Sequence, residues 1–307
     1  MDKNYIQFIN EILSRVPMTQ KELADELGVT FAALNRWVNG HAAPHPKRIE
    51  AIKKLHRLKV GYPSITAYEI QGLIQKACRF RRKHIRKLFG RHQSLAEELV
   101  LEHTYNSTTI EGNTMTKREA EAVIFSKKVI RDRTLVEHLE MTNHASVFRH
   151  VLSGEYRGPV TEDLIKSIHR DLMNGIREDA GHYSKYQRVI RGLDIALTHP
   201  EDISEEMNSL VRAWNRKWDV TIKDIADFHS SFELIHPFGD GNGRVGRLVM
   251  TIQCLEAGYL PLVIENERKL EYYDVLEYAQ RKADGPFIAF LADELGRTDK
   301  IFRKYKL

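Results

Sequence analysis

Residues 236–247 read His-Pro-Phe-Gly-Asp-Gly-Asn-Gly-Arg-Val-Gly-Arg, so one short stretch holds an imidazole, a carboxylate, a glycine-rich turn and two guanidinium groups. The ordinary pKa of His236 lies near neutrality, and it can take a proton from an alcohol nucleophile. Asp240 offers a hard oxygen suited to magnesium, which binds one or two carboxylates together with substrate phosphates. Gly239, Gly241 and Gly243 let the backbone approach a ligand closely. Asn242 and its flanking glycines supply amide donors, while Arg244 and Arg247 share a helix face and reach phosphate oxygens together. Such a set describes nucleotidyl or phosphoryl transfer carried by positioning and charge neutralisation, without a covalent nucleophile.

These groups need elements to hold them. The apolar run Val245, Leu248, Val249, Met250 and Ile252 predicts a helix whose first amides face a phosphate. Helical spacing also marks 5–15, 20–27, 31–38, 47–58, 67–89, 95–103, 116–126, 134–152, 161–174, 203–217, 222–234, 270–282 and 286–296. One segment, 186–193, has a strand signal, with Val189 and Ile190 ahead of Gly192 as an arm of a short hairpin. The expected fold class is mainly α with a small hairpin.

The chain has 307 residues, 42% apolar and 29% charged, enough for two globular domains. Residues 1–92 carry 18 Lys/Arg against 7 Asp/Glu, whereas the remainder carries 29 against 35. The basic run Lys76, Arg79, Arg81, Arg82, Lys83, Arg86, Lys87 and Arg91 suits either a polyanion surface or a solvated helix face, with Cys78, Ile85, Leu88 and Phe89 as its apolar seam. Cys78 and Cys254 have neither disulfide nor zinc spacing and are expected to be packing residues in a reducing compartment. The chain shows neither a signal segment nor an apolar run near the roughly 20 residues that span a bilayer, so a cytoplasmic protein with no membrane partner is expected.

Thr19 and Glu22 fit a capping box before a helix with Leu23, Ala24 and Leu27 inward. Gly28 then turns the chain, Thr30 caps a second helix, and Gly40 ends it. That second helix buries Leu34, Trp37 and Val38 and presents Phe31, Ala32, Asn35 and Arg36 outward. Gln20, Leu23-Ala24, Leu27-Gly28-Val29, Trp37 and Asn39-Gly40 resemble the Xre/Cro-type repressor family. The resemblance implies a second helix in the DNA major groove, with Gln20, Thr30, Asn35 and Arg36 as candidate contacts. The alternative is a docking or dimer module.

His236, Phe238, Asp240, Gly241-Asn242-Gly243-Arg244 and Arg247 match the fixed positions of the Fic-domain motif, and the resemblance extends over roughly residues 95–296. It implies a helical Fic core with a small β-hairpin flap, and AMP transfer from ATP to a Ser, Thr or Tyr hydroxyl of a target protein. His236 would be the base, Asp240 would hold Mg2+, and Gly239, Gly241, Asn242 and Gly243 would line the nucleotide site. Arg244 would support the phosphates, Arg247 would bind the γ-phosphate, and Phe238 would anchor the loop in the core. Tyr272 and Tyr273 resemble the segment near the adenine, although Gln280 stands where the family often has Asn. Gln187, Val189 and Ile190 fall in the flap that positions the target.

Upstream, Ser107, Glu111, Gly112 and Asn113 resemble the inhibitory signature of the Fic branch whose inhibitory helix precedes the core. Glu111 would form a bidentate pair with Arg247 and take the place of the γ-phosphate. The domains expected are a helix-turn-helix over 1–60, a basic helical linker over 61–94, and a Fic domain over 95–307 with the inhibitory helix near 95–113. A homodimer is a further implication of the resemblance. Two other readings remain open: an enzyme that removes AMP, and a DNA-binding regulator whose Fic domain senses nucleotide without turning it over.

Overall fold

The computed structural model describes residues 4–61, 65–188, 196–281 and 284–307. It divides into two units, Met1–Ser64 and Ile65–Leu307.

The first unit consists of α1 (Asn4–Arg15), α2 (Gln20–Glu26), α3 (Phe31–Val38) and α4 (Pro46–Lys59). Ile9, Ile12, Leu23, Ala24, Leu34, Trp37 and Ile52 form its core. Thr19 and Glu22 make the expected capping box at the start of α2, and the Thr30 hydroxyl accepts the Ala33 N–H at the start of α3. Gly28 takes φ +64°, and the Val29 N–H returns to the Ala24 carbonyl at 2.9 Å, which turns α2 into α3. Burying one stripe of α3 leaves Phe31, Ala32, Asn35 and Arg36 exposed.

The second unit contains α5 (Ala67–Cys78), α6 (Ile85–Arg91), α7 (Gln93–Ile110), α8 (Lys117–Ser126), α9 (Leu135–Ser153), α10 (Glu162–Leu172), α11 (Ile203–Asn215), α12 (Ile222–Ile235), α13 (Asn242–Glu256), α14 (Lys269–Arg281) and α15 (Gly285–Lys304). At its centre lies α13, packed against α7, α9, α10 and α12. Nearly every residue of α13 is buried, including Arg244, Arg247, Thr251 and Gln253. An ordinary core helix would be apolar on all sides. Buried arginines on α13 therefore mark where the fold serves something besides packing.

Several sequence expectations are corrected. The single helix expected over 67–89 is two, because the backbone between them pairs elsewhere: the Arg82 N–H donates to the Gly258 carbonyl at 2.7 Å and the Leu260 N–H to the Phe80 carbonyl at 3.2 Å. His84 then starts α6 from a left-handed φ of 56°. The helix expected over 95–103 runs on to Ile110, and the last one to Lys304. Residues 65–94 are no free linker, since α5 packs on α15 and α6 on α7 and α9.

The basic run is partly spent on the fold. Arg81 lies over the Tyr259 ring and donates to the Val220 carbonyl at 2.5 Å, Arg82 pairs with Asp299 at 2.7 Å, and Arg86 pairs with Glu256 at 2.7 Å. Cys78 is exposed, so the seam consists of Ala77, Ile85 and Phe89, while Cys254 is buried as expected. Tyr186, Gln187 and Arg188 adopt no strand, and Val189 and Ile190 lie outside the described residues. Among the described residues no helix is long and apolar enough to cross a membrane.

Candidate active site at the α12–α13 junction

His236 ends α12 as its left-handed cap, with φ 50°, and Pro237 carries the chain into the loop that starts α13. The buried Arg188 fixes this corner by donating to the His236 carbonyl and, at 2.8 Å, to the Thr198 carbonyl. His236 Nδ1 lies 3.3 Å from the Glu233 carbonyl, a group that only accepts, so the proton sits on Nδ1 and the lone pair on Nε2. Burial pushes the imidazole pKa down to about 4. His236 is therefore neutral near pH 7, the form a proton acceptor needs.

The loop is held from below. Phe238 is fully buried and stacks on His169 at 3.8 Å between ring centroids. His169 accepts the Gly181 N–H at Nδ1 (2.8 Å) and donates from Nε2 to the Asp240 carbonyl (3.1 Å). The Asn242 side chain closes the loop on itself, accepting the Phe238 N–H and donating to the Phe238 carbonyl, both at 2.8 Å. What Asn242 offers a ligand is thus its backbone amide, not its side chain. Gly239 lies against the Tyr186 hydroxyl and the Arg177–Asp179 pair.

The first turn of α13 has Gly241 at φ +79° as its cap and no side chain satisfying its amides. A Cβ on Gly243 would stand 2.3 Å from Glu111 Oε1 and 2.9 Å from Arg247 Nη1, so any larger residue there would push the Glu111 carboxylate aside. A carboxylate thus already lies on the helix N-terminus, the place where helix dipole and free amides favour an anion. Glu111 comes from the cap of α7, and its Oε1 accepts from Arg247 Nη2 at 2.8 Å. Ser107 completes the arrangement: its hydroxyl accepts from Arg247 Nε at 3.0 Å and its carbonyl from Nη2 at 2.8 Å. The expected bidentate pair is therefore a single Glu111 contact supplemented by Ser107. Among the described residues Arg247 Nη1 is buried without a partner, as is Arg244 Nε. Burial works against the charge of Arg247, yet Glu111 holds its pKa above the ordinary guanidinium value.

Arg244 pairs with Glu140 at 2.5 Å and with Asp240 at 3.4 Å. Glu140 also accepts from Asn113 Nδ2 at 2.9 Å, and Asn113 donates again to the Glu137 carbonyl at 3.1 Å. Gly112, at φ +108°, makes the turn that places Asn113 on α9. Tyr272 is fully buried with its hydroxyl 2.7 Å from His229 Nε2, and Tyr273 is half-buried with its hydroxyl 3.5 Å from the Ile110 carbonyl. Gln280 donates to the Ser230 carbonyl at 3.3 Å. Gln187 is exposed.

Glu140, His169, Arg188 and Glu233 belong to this constellation although the sequence did not single them out. His169 and Glu233 lie on amphipathic helices where a polar residue on the inner face, His169 on α10 and Glu233 beside His229 on α12, is the clue.

Residues 159–254 match the Fic/DOC family model, and residues 18–62 match a helix-turn-helix model. The chain carries a Fic domain. It is 32% identical over 209 residues to protein adenylyltransferase Fic of Nematostella vectensis, an alignment covering 66% of this chain and 48% of the relative. Across such relatives the chain spans about half of their length. A Fic family protein from Desulfovibrio desulfuricans superposes with a TM-score of 0.64 at 26% identity, covering 80% of this chain and 76% of the other. Fic-1 from C. elegans superposes with a TM-score of 0.69 at 18% identity, over 100% of this chain and 94% of that one, which establishes a shared fold. The Fic motif accordingly sits on the loop and first two turns of α13, at the centre of the helical unit.

Proposed function

We propose that the chain is a protein adenylyltransferase that moves AMP from ATP onto a Ser, Thr or Tyr hydroxyl of a target protein, and that Glu111 restrains it. The observation that carries this reading is the Glu111 carboxylate, lying on the first turn of α13 and 2.8 Å from Arg247. Its displacement calls for another anion, and the γ-phosphate of ATP supplies the charge that Arg247 and its unpartnered Nη1 can receive. Relatives named protein adenylyltransferase Fic, at 27–32% identity, support the same chemistry.

In this reading His236 Nε2 takes the acceptor hydroxyl's proton. The hydroxyl oxygen bonds to the α-phosphorus, and the bond to pyrophosphate breaks. The free amides at the start of α13 face the α-phosphate, and Arg244, released in part from Glu140, adds charge. Asp240 fits a magnesium site because its side chain is 55% exposed and is one carboxylate standing beside the phosphate position. Among the described residues no cluster of three His, Cys, Asp or Glu surrounds it, as suits an ion that takes most of its ligands from substrate and water. Magnesium there would neutralise phosphate charge.

The helix-turn-helix is proposed to bind DNA through Gln20, Thr30, Asn35 and Arg36. The exposed face of α3 and the family match over 18–62 support this. Gln20 is half-buried and the Thr30 hydroxyl is already used as a cap, so Asn35 and Arg36 are the better placed pair.

Incubation with labelled ATP tests the enzyme reading. Glu111→Gly should label itself or a target strongly, wild type weakly, and Glu111→Gly/His236→Ala not at all. Equal labelling by wild type and Glu111→Gly would sink the restraint, and no labelling by any variant would favour a nucleotide sensor. Release of AMP from a pre-modified target by wild type would point to the reverse reaction.

A further inference from the structure

Glu233 lies one turn before His236 on α12 and is 6% exposed. Its Oε2 stands 3.7 Å from His236 Nδ1, inside ion-pair range and beyond a hydrogen bond, while Oε1 is buried with no partner among the described residues. The pocket that holds it is tight: a Cβ on Gly246 would come within 2.5 Å of Oε1 and 2.9 Å of the His229 ring. Facing Glu233 are Arg247 of α13, Glu111 from the end of α7, Tyr272 and Tyr273 of α14, and His229 and His236 of α12 itself. An unpaired acid in an interior is costly, and a packing role would be filled better by a leucine or methionine.

We propose that Glu233 is the positioning residue of His236, a carboxylate in the reactive form that faces Nδ1–H and answers the positive charge the imidazole gains during proton transfer. The proposal rests on the adenylyltransferase reading and extends it to a residue outside the Fic motif. Before the step, Glu233 has lost its proton to solvent. The acceptor hydroxyl's proton then goes to Nε2, the oxygen–phosphorus bond forms, pyrophosphate leaves with its bonding electrons, and Nδ1–H stays toward Glu233. Substrate never touches Glu233, which acts through the imidazole.

The arrangement also links the base to the restraint. Burial pushes the Glu233 pKa up to about 8, Arg247 opposes the rise and the Glu111 charge adds to it. A carboxyl with a raised pKa is protonated below that value, so the reactive form grows as pH rises toward 8. Removing Glu111 takes away one cause of the rise and moves the transition to lower pH.

The test uses the full chain and two readouts. In ring-labelled protein the His236 imidazole signals should show an inflection near pH 8 in wild type, shifted downward in Glu111→Gly and absent in Glu233→Gln. In the Glu111→Gly background kcat should rise with pH, and adding Glu233→Gln should remove that limb and lower kcat about tenfold or more with the ATP KM little changed. Glu233→Asp should restore part of the limb. A purely structural Glu233 would alter melting temperature while leaving the pH profile in place, which would overturn the proposal. A missing inflection in wild type would overturn it without any variant having to fold. If the inflection behaves as described while no variant labels, the charge pair stands and the adenylyltransferase reading fails.

Discussion

The helices α3 and α13 both carry arginine on a face proposed to meet an anionic ligand, and they hold it in opposite ways. On α3, Asn35 and Arg36 stand in solvent with the apolar stripe turned inward. On α13, Arg244 and Arg247 are 4% and 2% exposed and are paired to carboxylates from other helices. A charge in water needs no partner and adds affinity in proportion to the phosphates it meets. A charge in the interior must always have one. In the proposed reading the buried site is a switch, because a substrate phosphate that takes over the Nη2 contact on Arg247 must displace Glu111, whereas the exposed face has no carboxylate to displace.

The largest effect should come from His236→Ala in the Glu111→Gly background, a loss of labelling by roughly 10²- to 10⁴-fold, the usual span for a general base. No substitution on α3 should change labelling at all. Stability moves the other way: the folded pKa of His236 is lowered to about 4, so wild type loses stability as pH falls from the ordinary histidine value toward 4. His236→Ala should thus melt closer to, or above, wild type at pH 5 than at pH 7, as thermal unfolding at the two values would show.

Next in size is Glu111→Gly measured as stability. It leaves Ser107 as the hydrogen-bond partner of Arg247 in the interior, and removing one partner of a buried pair costs about 3 kcal/mol. ATP should return part of that loss, since it supplies the missing anion, and calorimetric melts with and without ATP read both numbers. The counterpart on α3, Arg36→Ala, should leave melting unchanged and weaken duplex binding by about 1–3 kcal/mol with a shallower salt dependence if Arg36 contacts DNA. Should Glu111→Gly melt like wild type, the contrast between the two helices collapses.

The same contrast explains what the sequence disclosed. Groups fixed by local rules were the legible ones: the Thr19 box, Gly28, Gly40, the inward stripe of α3, and the motif residues that share one loop and one helix start, although the equally local boxes at Thr66, Thr116, Thr134 and Thr221 were not picked out. Glu111 was found because a family pattern names it. Groups that reach the site across the fold left little trace, since Glu140 comes from α9, His169 from α10 and Arg188 from the segment before the undescribed residues. A helix break at Arg79–His84 was hidden for the same reason, being caused by pairing with residues nearly two hundred positions away. Sequence left open which amide Asn242 offers a ligand, because it shows the residue type and not that both side-chain atoms close the loop.

The finest test compares two capping boxes. Thr19 and Glu22 bond to each other to cap α2, whereas Thr134 with Glu137 caps α9 and Glu137 also bonds the segment after Glu111. Glu137 accepts both the Thr114 hydroxyl at 2.5 Å and its N–H at 3.2 Å, and the Glu137 carbonyl takes Asn113 Nδ2. Those residues stand two and three positions after Glu111, so the α9 cap holds the turn that follows it. The Thr114 bond and the cap bonds hold the Glu137 pKa down to about 2, so its contribution is present above the ordinary glutamate value and fades as pH falls toward 2. Thr19→Ala and Thr134→Ala should each cost about 1 kcal/mol in unfolding experiments. Only Thr134→Ala should raise ATP labelling, by a small factor, because loosening the turn lowers the occupancy of Glu111 at Arg247. Equal labelling by the two variants would mean that Glu111 is held by Arg247 alone, and the restraint would then be a single ion pair and not a supported segment.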